Sequence, residues 1–507
     1  LDAQAAQAWV YPTDREVRKY QLDIAKACLT RNTLVVLPTG LGKTLIAAVV
    51  MYNFYRWYPT GKCVFLATTR PLVSQQIRAF HEIMHIPQEH SHRMFGKVLK
   101  KKRQAVWKDP TRRVLFCTPQ AFQSDINSGN VPLDKIVCIV IDEAHHATGD
   151  HAYVNTIREV ARATDRFRII GLSATPGKDV ETVQTVVRNL RCRQIEIRDD
   201  EDPDVKRYIH GKSFQLVVCK MSPEIRNVLN LLHGMIGRLV GALSRVRAAP
   251  FVSPPNASKF LFVRSWTEFR GRPGVDLSRE QVTRANGHFT TVIKLIDARD
   301  KLRNYGIRSC QQHLLTNIVN ADRKKVGLFE CRRSREFGHI MTLIDEMLAR
   351  GETHPKIPQL RNLLLEHFEA HEDATRRNSS GNCKGGEGDD SAIVFTQYRD
   401  SVADIVRFLR ASEPVIRPVE FIGQAQKKDG KGLTQKQQAK VLRRFHAGEV
   451  NVLVATCIAE EGLDIGEVDL IVAFDVSKSK IRTVQRMGRT GRKRSGKCIT
   501  LVSEGKE

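Results

Sequence analysis

The stretch Thr33-Leu34-Val35-Val36-Leu37-Pro38-Thr39-Gly40-Leu41-Gly42-Lys43-Thr44 decides how this chain is read. Its β-branched run Leu34–Leu37 predicts a buried strand, and Leu45–Tyr55 beyond it predicts a helix. A glycine-bearing turn between strand and helix suits a phosphate cradle. Its backbone N–H groups can close around a β-phosphate, and the helix N-terminus adds positive potential. Thr39, Gly40, Gly42, Lys43 and Thr44 are therefore candidate nucleotide contacts. Lys43 would reach the β- and γ-phosphates and Thr44 would bind Mg²⁺. Position 37 holds Leu where the general phosphate-loop pattern has Gly.

Outward from this loop, short apolar runs alternate with helical stretches as far as about residue 198. Val64–Thr68, Val114–Thr118, Cys138–Ile141 and Ile169–Leu172 are runs of this kind. Continuous apolar strands separated by helices predict a parallel sheet covered on both faces. Cys138–Ile141 leads into Asp142-Glu143-Ala144-His145. A carboxylate at such a strand end, beside a phosphate loop, can hold Mg²⁺ through Asp142, while Glu143 can orient and deprotonate an attacking water.

A second α/β block follows residue 391, with strands expected at Ile393–Phe395, Val452–Ala455, Leu470–Phe474 and Ile499–Val502. Near its end, Gln485-Arg486-Met487-Gly488-Arg489-Thr490-Gly491-Arg492 carries three arginines on a glycine-punctuated segment. Arginine's planar fork suits γ-phosphate oxygens and a developing transition-state charge, so Gln485, Arg489 and Arg492 join Lys43, Asp142 and Glu143 as candidate catalytic residues. The two blocks predict an α/β protein of two RecA-like parallel-sheet lobes, with Lys43 and Asp142 facing Arg489 and Arg492 across a cleft.

Between the blocks the period changes. Leu232, Met235, Ile236, Leu239 and Leu243 recur at helical spacing, as do Val292, Leu295 and Ala298, and Ser278 with Gln281 forms a capping-box pattern. The expected organisation is an ATP-binding lobe at 1–210, a basic helical insertion at 211–375, a flexible linker at 376–390 and a C-terminal lobe at 391–507.

Composition narrows the partner. The 507 residues carry 81 Lys+Arg against 55 Asp+Glu, a formal net charge of +26. That field attracts polyanions by steering and by counterion release from phosphates. No apolar run reaches the roughly 18 residues of a membrane span, so no membrane partner is expected. The start lacks a basic segment followed by an apolar one, which argues against a secretory signal, and it lacks an initiator Met, which suggests a fragment. Eleven scattered cysteines without a Cys-x-x-Cys pair read as reduced thiols.

These motifs, in this order, resemble the superfamily-2 helicases of the DEAH-containing kind. Arg18-Lys19-Tyr20-Gln21 resembles their adenine-reading element, with Gln21 as the base contact. Ala67-Thr68-Thr69-Arg70-Pro71-Leu72 and Thr118-Pro119-Gln120 resemble motifs Ia and Ib, and Phe395-Thr396-Gln397-Tyr398 resembles motif IV. Ser173-Ala174-Thr175 matches the motif that couples hydrolysis to the nucleic-acid track. Thr456 and Glu461-Gly462-Leu463-Asp464-Ile465 match motif V, whose Thr takes a nucleic-acid phosphate and whose Gly and Asp lie near the nucleotide. Gly432-Leu433-Thr434-Gln435-Lys436, Glu460–Leu470 and Gln485–Arg494 resemble the Fanconi anaemia group M and Hef family.

The resemblance implies a 3′-to-5′ ATP-dependent DNA translocase that remodels forks, Holliday-type junctions and D-loops in repair. Arg70, Thr118, Gln397, Thr434 and Thr456 would touch DNA, Ser173 and Thr175 would couple, and ATP and Mg²⁺ would be required. It further implies an insertion that clamps branched DNA, a monomeric motor, a nuclear location if eukaryotic, and repair-complex proteins reached through other regions. The alternative with the same chemistry is a duplex-RNA-stimulated ATPase of the Dicer or innate RNA-sensor kind. Two other readings are weaker. His81-Glu82-Ile83-Met84-His85 is a literal His-Glu-x-x-His, a zinc-site pattern when helical, but it follows motif Ia and lacks a third ligand. A binding-only scaffold conflicts with a full set of hydrolytic residues.

Overall fold

The computed structural model describes residues 1–96, 98–271, 277–322, 326–378, 390–423, 432–456, 465–476, 479–491 and 495–504. Strands β1 (Thr33–Val36), β2 (Lys62–Leu66), β3 (Ser91–Met94), β4 (Val114–Cys117), β5 (Ile136–Ile141), β6 (Arg168–Ser173) and β7 (Gln194–Ile197) form one sheet. Their order is β3-β4-β2-β5-β6-β1-β7, and every neighbouring pair is parallel.

Alternation along the strands feeds two cores. Val35, Phe65, Val140 and Leu172 pack with Ile46 and Val50 of the helix Lys43–Trp57. Leu34, Val64, Ile139 and Ile141 pack with Val154 and Ile157 of the helix Ala152–Ala163. A strand buried on both faces has no polar side, so these strands read as unbroken apolar runs.

Strands β8 (Lys212–Cys219), β9 (Ala392–Phe395), β10 (Pro418–Phe421), β11 (Val452–Ala455), β12 (Leu470–Ala473) and β13 (Gly496–Ser503) form the second sheet, ordered β10-β11-β9-β12-β13-β8. The fold is thus two RecA-like sheets with an α-helical insertion. Strand β8 falls inside the stretch read as helical, and it belongs to the second sheet. The helical segment, from Pro223 onward, therefore leaves and re-enters that sheet between β8 and β9.

Two compact units are distinguished. One comprises Leu1–Ser213, Ile458–Ile471 and Ser477–Lys497; the other comprises Phe214–Cys457, Val472–Val476 and Cys498–Glu507. In the second unit the helix Pro223–Arg245 is capped by Ser222, whose hydroxyl accepts from the Ile225 N–H at 3.3 Å. The 27-residue helix Arg279–Tyr305 opens on the capping box of Ser278 and Gln281, with both reciprocal bonds made. Leu232, Ile236 and Leu243 of the former join Phe289, Val292 and Leu295 of the latter in the insertion's core. Of the segment read as a linker, residues 379–389 lie outside the described residues, and 376–378 end the helix Lys356–Asn378.

Candidate nucleotide site and nucleic-acid contacts

The phosphate loop leaves β1 at its carboxyl end and turns directly into the helix Lys43–Trp57. The turn uses left-handed backbone at Gly40 (φ 89°) and Gly42 (φ 80°), a region that costs little only for glycine. Gly42 has a second requirement, because a Cβ there would stand 2.2 Å from Gln21 Nε2. The buried Gln21 amide donates to the Leu41 carbonyl at 3.0 Å, and the Tyr20 hydroxyl donates to the same oxygen at 3.0 Å. The element read as adenine-binding is therefore fastened to the loop backbone in this structure. Lys43 Nζ donates to the Leu37 and Pro38 carbonyls at 2.8 and 3.1 Å, holding the ammonium at the strand end. Thr44 is the next residue of the same helix.

Four strand ends converge here. Leu37 N–H donates to the Ser173 carbonyl at the end of β6, and Asp142 N–H donates to the Leu66 carbonyl at the end of β2. A crevice at the carboxyl ends of parallel strands is where open α/β sheets bind ligands. Asp142 is 8% exposed. Its carboxylate accepts from the Glu143 N–H at 3.0 Å and from Gln76 Nε2 at 3.4 Å. Burial pushes the Asp142 carboxyl up from the ordinary range, and the Lys43 charge is the chief force opposing that shift. Tyr153 fixes the backbone here, its hydroxyl donating to the Asp142 carbonyl at 2.7 Å.

Glu143 adopts left-handed backbone (φ 49°), which turns its side chain out of the strand direction. Its Oε2 lies 3.4 Å from His145 Nδ1, and that nitrogen lies 3.3 Å from Ser173 Oγ. Ser173 Oγ gives its proton to the Thr175 carbonyl at 2.7 Å, so it accepts from His145 Nδ1–H and from the Thr175 N–H at 3.2 Å. Burial lowers the His145 pKa to about 4, so the ring is neutral at pH 7. His145, Ser173 and Thr175 thus form one hydrogen-bonded chain from the acidic motif to the Ser-Ala-Thr motif, and the Glu143 carboxylate lies 3.4 Å from its first nitrogen.

The arginine segment lies in the same compact unit. Gly488 ends the helix Lys480–Met487, and Thr39 Oγ1 donates to its carbonyl at 3.1 Å. Arg489 N–H donates to the Arg486 carbonyl, and the Arg489 carbonyl accepts from the Val468 N–H at 3.1 Å. Gln485 is 4% exposed, and neither its amide oxygen nor its nitrogen has a hydrogen-bond partner among the described residues. Arg492, Gly462 and Asp464 lie outside the described residues.

The residues read as nucleic-acid contacts fall in both units. In the first, Arg70 begins the helix Arg70–Met84 and its guanidinium lies 5.7 Å from the Phe95 ring centre. Thr118 precedes the helix Pro119–Asn127, and its N–H donates to the Met94 carbonyl at 3.2 Å. In the second, Gln397 N–H donates to Asp475 Oδ2 at 2.8 Å and its amide donates to the Val476 carbonyl. Thr434 caps the helix Gln435–His446, and Thr456 follows β11 with its N–H on the Phe421 carbonyl.

The His-Glu-x-x-His pattern is not a two-histidine helical face. The helix ends at Met84, His85 takes left-handed backbone, and both His81 nitrogens are engaged, by the Ile86 carbonyl and Ser91 Oγ. Sequence alone does not single out Gln76, Tyr153 or Asp475. Each is a polar residue on an otherwise ordinary element, and only the folded contacts reveal it.

Known proteins bear on this geometry. A Type III restriction enzyme res-subunit family model matches residues 14–178, and a helicase conserved C-terminal domain model matches residues 383–494. Together with the two sheets these matches define the class, a superfamily-2 helicase. The Pyrococcus furiosus Hef helicase domain superposes with a TM-score of 0.69 and 30% identity, over 96% of both chains. The chain belongs to the Hef and Fanconi anaemia group M family. It is also 39% identical over its full length to the mouse Fanconi anemia group M protein homolog and 37% identical to the ATP-dependent DNA helicase mph1 of Neosartorya fischeri. It spans 26% of the former and 46% of the latter.

Proposed function

We propose that this chain is the motor of an ATP-dependent DNA translocase with 3′-to-5′ polarity that remodels branched DNA in repair, working in the nucleus if the cell is eukaryotic. The observation that carries the reading is the convergence of the Lys43 ammonium, the buried Asp142 carboxylate and a glycine-built helix start at the carboxyl ends of β1, β2, β5 and β6. Similarity to the mouse Fanconi anemia group M homolog and to the Hef helicase domain supports the repair assignment.

In this reading Lys43 exchanges its carbonyl partners for β- and γ-phosphate oxygens, and helix N-terminal N–H groups take the rest of that charge. The donor set suits Mg²⁺, since Asp142 offers a buried carboxylate oxygen beside the loop and Thr44 a hydroxyl, and Mg²⁺ bound there neutralises phosphate charge. Glu143 orients the attacking water and takes its proton. Gln485, Arg489 and Arg492 supply hydrogen bonds and positive charge to the transferring phosphoryl group, which fits a buried Gln485 amide without a protein partner among the described residues. Gly462 and Asp464 belong to the same nucleotide site, and Gln21 reads the base after releasing Leu41. Arg70, Thr118, Gln397, Thr434 and Thr456 hold the DNA backbone. The His145–Ser173–Thr175 chain transmits the state of Glu143 to that track.

The test is ATP hydrolysis titrated with single-stranded, duplex, forked and four-way DNA and with duplex RNA, over a range of salt. Forked or four-way DNA is expected to stimulate most. Stimulation by duplex RNA with none by branched DNA would replace this reading with the RNA-sensor one.

A further inference from the structure

The helix Lys100–Lys108 contains no acidic residue and carries Lys100, Lys101, Lys102 and Lys108 exposed. Its other side is locked down. Arg103 and Trp107, one turn apart, are 2% and 1% exposed, and both reach Asp125 of the helix Pro119–Asn127. Arg103 Nη2 lies 2.7 Å from Asp125 Oδ1, and Trp107 Nε1 donates to Asp125 Oδ2 at 3.1 Å. Asp125 is fully buried. A buried charge pair of this kind is a poor way to add stability compared with apolar packing, and in some proteins it serves instead to specify one conformation. Here it fixes the azimuth of a lysine helix. With residues 103 and 107 facing inward, the 100° step puts Lys101 and Lys108 together on the outward face, two turns apart.

The position is as informative as the charge. The helix is entered from β3 through Met94 and Phe95. The Met94 carbonyl accepts from the Thr118 N–H, and the Phe95 ring lies under the Arg70 guanidinium. The lysine helix is therefore continuous with the two elements of this unit assigned to the DNA backbone, and Asp125 sits on the helix that Thr118 begins.

We propose that the helix Lys100–Lys108 is a third phosphate-binding element of the first sheet's domain, with Lys101 and Lys108 contacting the DNA backbone and Asp125 as their positioning residue. The contacts are ionic and sequence-independent, and they lengthen the track beyond Thr118. The inference rests on the DNA-motor reading.

The experiment measures duplex-DNA affinity of the chain against salt concentration, for wild type, the double variant Lys101→Ala/Lys108→Ala, the double variant Lys101→Arg/Lys108→Arg, and Asp125→Asn. Each lysine–phosphate pairing that is removed should lower the slope of log K on log salt by about 0.9. The alanine variant is expected to lose nearly two such pairings and to bind roughly tenfold or more weakly at low salt. The arginine variant should keep the wild-type slope. Asp125→Asn should lower the slope with all lysines present, a change that loss of stability alone does not produce. An alanine variant with wild-type slope and affinity overturns the proposal. Wild-type protein that fails to bind DNA overturns the motor reading instead.

Discussion

Thr39 and Gly488 stand 449 positions apart in sequence, and the Thr39 hydroxyl donates to the Gly488 carbonyl at 3.1 Å. One belongs to the phosphate loop and the other ends the helix that carries Gln485. The approach is tight enough to require glycine, since a Cβ at 488 would lie 1.9 Å from Thr39 Oγ1 and 2.9 Å from Thr39 Cβ. The contact binds the loop to the backbone immediately before Arg489. Gly488 therefore has a packing role distinct from the charge roles around it.

Gly488→Ala is expected to destabilise the fold by about 1–3 kcal/mol, the usual cost of forcing a carbon into packed space. Thr39→Ala removes the nearest atom, so the penalty for Gly488→Ala should shrink in that background. Denaturant melts of wild type, the two single variants and the double variant measure this. Equal penalties in the two backgrounds would show that the contact does not set the requirement.

For the residues proposed to act in hydrolysis, Glu143→Gln keeps size and hydrogen bonding but removes the proposed base. Turnover should fall by about 10²–10⁴-fold while ATP stays bound. Lys43→Ala removes the charge that opposes Asp142's upward shift and should impair ATP binding as well. Equilibrium binding of labelled ATP beside steady-state hydrolysis separates the two. Undiminished DNA-stimulated hydrolysis in both variants would sink the assigned mechanism.

The sheets are legible in the sequence where burial is two-sided. Leu34, Val64, Cys138 and Ile169 each sit in a run without a polar face, and each lies in a strand. Strands β3, β7, β8 and β10 escape a sequence reading for one physical reason. All four sit at sheet edges, where one side meets solvent and polar residues such as His92, Glu196, Gln215 and Glu420 are tolerated. In β8 the apolar residues Phe214, Leu216 and Val218 are 62%, 65% and 58% exposed, so a period of two is present without the burial that usually explains it. Lys43, Asp142 and Glu143 stand out as candidates in the sequence because local spacing marks them, and the fold brings the Lys43 charge close to the Asp142 carboxyl. Gly488's partner, Gln21's bond to Leu41 and the lock on Asp125 are not legible there, since each joins positions that only the tertiary fold makes adjacent.

Acid should destabilise the second unit through His354. The residue is buried, and that burial, with the Lys356 charge second, lowers its pKa to about 4. Its tautomer follows from its partners. Nε2–H donates to the Arg303 carbonyl at 2.8 Å, and Nδ1 accepts from the Lys356 N–H at 3.2 Å. Well above pH 6.5 the ring is neutral whether folded or unfolded. As pH falls from 6.5 towards 4, the unfolded chain takes up a proton that the folded chain refuses, so stability declines, by at most about 3 kcal/mol. Below about 4 both states are protonated and this contribution is constant. His354→Gln should flatten the fall in melting temperature between pH 6.5 and 5; an unchanged slope would exclude the group.

Arg489 offers the sharpest division between hydrolysis and grip. Its backbone is held on both sides, by the Arg486 carbonyl and the Val468 N–H, so truncating the side chain leaves the segment anchored. An arginine that stabilises phosphoryl transfer contributes about 10³–10⁵ in rate when supplied by a partner or domain. Arg489→Ala is therefore expected to lower kcat for DNA-stimulated hydrolysis by at least about 10²-fold. DNA affinity should change far less, because the backbone contacts proposed for Arg70, Thr118 and the lysine helix are untouched. Measuring kcat and DNA affinity on the same preparation decides the role. A variant that binds DNA poorly but turns over normally once saturated would move Arg489 from the nucleotide to the track.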